Sequence, residues 1–394
     1  AAERVIDGKI ADFFRRAVAH QDGETPPVMA LGVDTGGGKS HAAIKHLVQS
    51  LIKIRAAGDN RSIVFAVPEH GLSREIEKRI RKELEQAGAN YAVAIWRGRE
   101  AKKPNAANDD DRMCAEIQTV REASELHVKI EEEICKKCPH NPAKGGACQY
   151  LLQKGLTADI WVAAHQIIFR KPPTAIVKDG GVAMLVIDES ILDAGIAEPF
   201  ELPIDAIESM TLPADEGDKV ELLDYRHRLT EILQEAPEGF LSKAALSAHP
   251  DSAISFDMAT EAYRLEWSRE VRPKQERDWR KRRANKSLTK ATGLAKAISE
   301  LAAKDGPAVS GHISVGRTPD FVKVVRVSRR LAIHEAWRVP TLLIDAMIFG
   351  VDALQYFWPS IEDMGRVNIA TPHQRVSQVI NKSYAIGKLA PPKK

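Results

Sequence analysis

The stretch Val33-Asp34-Thr35-Gly36-Gly37-Gly38-Lys39-Ser40, with the apolar run PPVMALGV leading into it, limits the fold of this chain more than any other feature. A short apolar run ending in a glycine-rich turn reads as a buried strand. After Ser40, apolar residues fall at Ile44, Leu47, Val48 and Leu51, one face of a helix, and Gly58 closes it. Strand, glycine loop and helix together suit phosphate binding. Small residues let backbone N–H groups wrap phosphates, a lysine reaches the terminal ones, and a hydroxyl meets a magnesium ion. Thr35, Gly36, Gly37, Gly38, Lys39 and Ser40 supply all three at the positive end of a helix. Val33 stands where glycine commonly opens such a loop, and Gly32 is one residue out of register.

The bland alternative is a glycine turn with a solvated lysine, which requires no acidic strand elsewhere. Leu185-Val186-Ile187-Asp188-Glu189 is such a strand, delivering two carboxylates at its C-terminal end, the ligand-bearing edge of a parallel sheet. We expect Asp188 to hold magnesium and Glu189 to act as catalytic base toward water, with Lys39 on the phosphates of ATP.

Further strands read at Ile63 to Pro68, Tyr91 to Trp96, Ala158 to Phe169 and Pro340 to Ala346. Leu72, Ile76, Ile80 and Leu84 mark a helix between the first two. Strands alternating with helices imply an α/β chain with a parallel sheet covered on both faces. From about Pro199 to Asp305 the strand signal vanishes and a charged, mostly helical insertion is expected. A hairpin around Thr318-Pro319-Asp320 follows. At 394 residues the chain exceeds one ordinary domain. Its net charge of +3 decides nothing about partners. No apolar run reaches a membrane span and the N-terminus lacks a signal-peptide pattern, so a cytoplasmic location is the default. The chain lacks an initiator Met, and we expect it to be part of a longer one.

All four cysteines, Cys114, Cys135, Cys138 and Cys148, fall within 35 residues. Such a cluster in a cytosolic chain binds metal more often than it forms disulfides. Zinc and a [4Fe-4S] cluster both accept four thiolates, and the spacing alone does not choose. Only Cys135 and Cys138 form a close pair, which leans toward a cluster.

The order of these features resembles the DinG/XPD-like iron–sulfur DNA helicases of superfamily 2. The residues carrying the resemblance are the loop at Val33 to Ser40, Trp96-Arg97-Gly98-Arg99 before Cys114, Cys135-x2-Cys138-Pro139, and Cys148-x-Tyr150. Ala158-Asp159, Ala164-His165 and Asp188-Glu189 continue it. The sequence departs from the family in the acidic box, which reads Asp188-Glu189-Ser190-Ile191 without the histidine of the family's Asp-Glu-x-His, at Ala164, where asparagine is usual, and at Met347 in place of Thr or Ser.

The resemblance implies a RecA-like P-loop sheet interrupted by an iron–sulfur domain and an arch. Motor domain 1 would occupy 1–100, 156–200 and 336–365, the cluster domain 101–155, the helical arch-like insertion 201–335, and the start of a truncated second motor domain 366–394. It implies a [4Fe-4S] cluster on the four cysteines and ATP-driven movement on single-stranded DNA, 5′ to 3′. No Gln-x-x-Gly-Arg-x-x-Arg box occurs, so further domains or a partner chain would complete the motor, and this chain alone is expected to hydrolyse ATP poorly. A metal-cluster DNA-binding protein with a regulatory, weakly hydrolytic ATP site is the alternative.

For DNA contact the residues offer two places. Arg264 to Lys290 holds eleven Lys/Arg against four Asp/Glu, with Trp267 and Trp279 interleaved and Arg280, Arg282 and Arg283 at its centre. Basic residues with aromatics suit a single strand, and a solvated helix face explains them equally. Glu69 and His70 sit in a loop that touches the DNA backbone in the family. His165 reads as a contact to the sheet edge or to DNA, with core packing an equal alternative.

Overall fold

The computed structural model describes residues 2–104, 106, 108, 110–125, 128–210, 216–248, 250–271, 286–346, 348 and 351–369. Helix α1 (Ala2–Ala19) precedes β1 (Val28–Val33), α2 (Lys39–Ala56), β2 (Ser62–Val67), α3 (His70–Gln86) and β3 (Val93–Trp96). The cysteine-bearing segment carries α4 (Ile117–Glu125) and the short α5 (Gln149–Leu152). The chain then returns through β4 (Ile160–Ala164) and β5 (Val182–Asp188). Next come β6 (Ile196–Pro203), α6 (Glu216–Glu235), β7 (Gly239–Ser242), α7 (Phe256–Val271), α8 (Lys286–Ala302), β8 (Val309–Arg317) and β9 (Lys323–Arg330). Last are β10 (Thr341–Asp345), the short α9 (Asp352–Gln355) and β11 (Glu362–Val367).

Seven strands form one sheet in the order β11-β1-β10-β5-β2-β4-β3, with every pairing parallel. This α/β architecture is compatible with a RecA-like fold. The strands read as continuous apolar runs because both faces are covered. Met29, Leu31 and Val33 of β1 face a core shared with Phe13, Leu47 and Ile80 of α1, α2 and α3. Val28 and Ala30 face the opposite core, built from Trp161, Ile168, Trp337 and Trp358. That second face is closed mainly by short turns rather than by long helices.

β10 lies between the loop strand β1 and the acidic strand β5. The register sets Gly32 beside Asp345 and Ile344 beside Asp188. Three strand ends therefore open onto one edge. β11 continues to Val367 as the outer neighbour of β1, across the expected boundary at 365/366.

A second sheet is antiparallel, in the order β6-β9-β8-β7, and shares a core with α6, α7 and α8. The hairpin expected around Pro319 is β8–β9. The expectation of a strandless helical stretch from 199 to 305 does not hold, because β6 and β7 lie in it. Both are edge strands, paired on one side only, and β6 contains Pro199 and ends on Pro203. Proline is tolerated at such edges and hides the strand in the sequence. Among the described residues no helix is long and apolar enough to cross a membrane.

Candidate functional site

The loop between β1 and α2 has the backbone that its glycines allow. Gly36 and Gly38 sit at φ +85 and +74, left-handed values that side chains resist. Gly37 has no spare room: a Cβ there would lie 2.4 Å from Ile369 Cδ1 and 2.6 Å from Val33 Cγ1. Thr35, Gly36 and Gly38 are exposed, whereas Lys39 is buried as the first residue of α2.

The acidic strand meets this loop directly. Ser40 Oγ donates to Asp188 Oδ2 at 2.7 Å, and Lys39 Nζ donates to Glu189 Oε1 at 2.6 Å. These pairs join residues far apart in sequence, and β10 between the two strands sets their spacing. Asp188 Oδ1 is buried and has no hydrogen-bond partner among the described residues. An unpartnered buried carboxylate oxygen is costly. Beside the Ser40 hydroxyl it is a donor set that fits a magnesium ion. Burial pushes the Asp188 carboxyl above the ordinary range, with the Glu189 charge adding to it and Ser40 and Lys39 opposing.

Glu189 adopts φ +68, a left-handed backbone that costs about 1–3 kcal/mol in a non-glycine residue. Its N–H donates to Ile344 O at 2.8 Å, which fixes that turn. Burial acts to raise the Glu189 carboxyl, but hydrogen bonds from Lys39 and the Asp345 carboxyl, the Lys39 charge and the Ala346 N–H together hold it low. Glu189 is thus an ionised carboxylate at the sheet edge, in keeping with a base. Asp345 was not among the expected site residues. The signal was present, since TLLID, like MLVID, is an apolar strand ending in aspartate.

His165 is fully buried, with Nε2 2.9 Å from Asp188 O. It braces the acidic strand from below at the sheet edge, and burial holds its imidazole below the ordinary value. Asp159 receives Arg55 Nε and Nη2 at 3.0 and 2.8 Å and the Ala92 N–H at 2.8 Å, tying α2 to β4. Ser190 Oγ accepts from the Leu192 N–H at 3.3 Å and opens the turn after β5.

Asp34 closes the outer side of the loop. It accepts from the Ile369 N–H at 2.9 Å and from Arg366 Nη2 at 2.7 Å, and these bonds hold its carboxyl below the ordinary range. Neither Arg366 nor Ile369 was legible as a site residue, because their partner lies on the first strand's loop.

All four cysteines are free, with Cys114, Cys135 and Cys148 buried and Cys138 half-buried. Arg99 organises the neighbourhood. Its carbonyl accepts the Cys114 N–H at 3.1 Å, its Nη1 lies 3.3 Å from Cys135 Sγ, and its guanidinium lies 3.9 Å over the Tyr150 ring. Cys148 Sγ is 3.9 Å from Met113 O. Burial pushes the Cys114 thiol up, with Cys148 and Cys135 adding to it and the Arg99 charge opposing. These thiols fit a thiolate-bound group in kind and neighbourhood. Among the described residues, no three His, Cys, Asp or Glu side chains are already drawn together as a metal-holding group.

Arg280, Arg282 and Arg283, with Trp279, lie outside the described residues, as does Met347. His70 opens α3 after Glu69 rather than lying in a loop. Trp267 is exposed on α7, its ring 6.5 Å from that of Tyr263. Arg97 is half-buried, its backbone held by Gln153 at 3.1 and 2.7 Å. Compared with models of known protein families and with curated proteins, the chain matches none.

Proposed function

We propose that this chain is the ATP-hydrolysing half of a DNA helicase or translocase of the iron–sulfur superfamily 2 kind, acting on single-stranded DNA. The observation that carries the reading is the double pairing of loop and acidic strand, Ser40 with Asp188 and Lys39 with Glu189. A solvated lysine after a glycine turn would have no reason to meet a catalytic-type carboxylate across the sheet edge.

In this reading the loop N–H groups from Thr35 to Ser40 wrap the phosphates of ATP, and Lys39 exchanges Glu189 for the terminal phosphates. Ser40 and Asp188 would hold a magnesium ion, which would supply positive charge against the phosphate oxygens. Glu189, freed from Lys39 and oriented by Asp345, takes the proton of the attacking water. His165 keeps the acidic strand in place. The cysteines Cys114, Cys135, Cys138 and Cys148 would hold a [4Fe-4S] cluster, with zinc as the alternative. The family resemblance and the neighbourhood around Arg99 support this part. The expectation that further domains or a partner chain complete the motor is retained.

The test is ATP hydrolysis with and without single-stranded DNA, alongside iron, sulfide and zinc content after anaerobic purification. Stimulation by DNA that Lys39→Ala abolishes, with iron and sulfide present, supports the reading. Hydrolysis indifferent to both Lys39→Ala and DNA sinks it. Zinc without iron moves the assignment to a zinc-bearing DNA-binding ATPase.

A further inference from the structure

A cavity of about 290 Å³ lies where the antiparallel sheet meets the chain that follows β10. Lys296 and Glu300 of α8, His312 of β8, Arg330 of β9, Phe200 of β6 and Tyr356 line it. Arg330 is fixed on two sides. Its guanidinium lies 3.8 Å over the Tyr356 ring, and its Nε and Nη2 reach His312 Nε2 at 3.4 and 3.2 Å. His312 also hydrogen-bonds the Ser328 backbone, which leaves Nε2 as the acceptor for Arg330. Among the described residues Arg330 has no carboxylate partner, and Glu300 is taken by Lys296 at 3.7 Å. A guanidinium held flat, oriented and without a counter-ion is preorganised for a planar or phosphate anion. The cavity gains apolar surface from Phe200, Ala297 and Val327 in the same lining. Its volume is near the lower end for small-ligand sites, about 300 Å³, which leaves room for one ring and its phosphate but not a stacked run.

We propose that this cavity binds one phosphorylated nucleotide unit, its phosphate on Arg330 and Lys296 and its base against the Phe200 wall. The unit is either a free mononucleotide or one residue of a single strand. Tyr356 belongs to the chain that continues from Asp345, so the occupant touches both the antiparallel unit and the segment leaving the acidic edge. This site does not rest on the ATPase reading.

The experiment measures binding of dTMP by calorimetry and of a fluorescent oligo-dT by anisotropy, without ATP. The proteins compared are wild type, Arg330→Glu, Arg330→Lys, Tyr356→Ala and, as a control, Lys39→Ala. Arg330→Glu and Tyr356→Ala should weaken binding at least about tenfold. Arg330→Lys, which keeps charge but loses the flat fork, should weaken it less. Lys39→Ala should leave it unchanged. Loss confined to the oligonucleotide makes the ligand a unit of a strand, and loss confined to dTMP makes it a separate nucleotide site. Wild-type affinity of Arg330→Glu and Tyr356→Ala for both probes overturns the proposal. Abolished hydrolysis in Lys39→Ala bears only on the ATPase reading.

Discussion

Lys39 Nζ and Glu189 Oε1 are 2.6 Å apart, so the loop cation and the acidic-strand carboxylate neutralise each other across the sheet edge. Each is released only when the other finds a new partner. On the proposed ATPase reading, nucleotide entry would free Glu189 at the same moment that it engages Lys39.

The first prediction follows from that pair. Glu189→Gln should lower single-turnover ATP hydrolysis roughly 10²- to 10⁴-fold, the contribution of a general base. It should leave ATP affinity equal or higher, because Lys39 no longer has a carboxylate to leave. Turnover at the wild-type rate would remove Glu189 from the chemistry.

Gly37→Ala tests the packing of the loop. Its Cβ would press on Ile369 and Val33, and overpacking of this kind costs about 1–3 kcal/mol. ATP binding by calorimetry should weaken about tenfold or more, with thermal stability reduced only modestly. Unchanged affinity would mean that Ile369 yields freely.

The second unit has its own weak point. Arg226 and Glu266 join α6 to α7 through a pair at 2.6 Å, each side chain only 2% exposed. Arg226 Nη1 also donates to Met210 O at 2.7 Å. Glu266→Ala should cost about 3–5 kcal/mol in urea denaturation, since it strands a buried guanidinium. Replacing both residues with Met and Leu should recover most of the loss. A near-neutral single variant would show that water reaches the site.

His312 gives a pH signature. Burial first, then the Arg330 charge, hold its imidazole below 6.5, while Glu300 and the Ser328 backbone oppose. The unfolded chain thus takes up a proton at higher pH than the folded one, so stability is full above 6.5 and declines as pH falls toward the depressed folded value. Lys296 on α8 lines the same cavity. His312→Gln should flatten the fall of stability below pH 6.5 in denaturant titrations. An identical slope in the variant would assign that slope elsewhere.

The central sheet was legible because β1, β2, β5 and β10 are buried on both faces and carry almost unbroken apolar runs. The edge strands β11, β6 and β7 were not. β11 buries only Val367 fully and bends at Gly365, φ +77, so its sequence EDMGRV gives no strand signal. β6, IAEPFELP, carries two prolines, and β7, GFLS, buries only Leu241, so neither gives a strand run. Within the site, residues whose type announces their chemistry were readable, namely the loop glycines, Lys39, Ser40, Asp188 and Glu189. Asp345, Arg366 and His312 act through neighbours that only the strand order supplies. The basic run at Arg280 to Arg283 was read from charge alone, and it lies outside the described residues.

The Asp34–Ile369 hydrogen bond has a mechanical consequence. The backbone at Ile369 is fastened to the phosphate loop rather than to the neighbouring strand. A pull on the chain beyond it is borne first by that bond and by the Arg366–Asp34 pair. Tension downstream would thus be felt at the loop between β1 and α2 before it strained the sheet, and on the proposed ATPase reading a nucleotide that stiffened this loop would raise the force needed to move that chain.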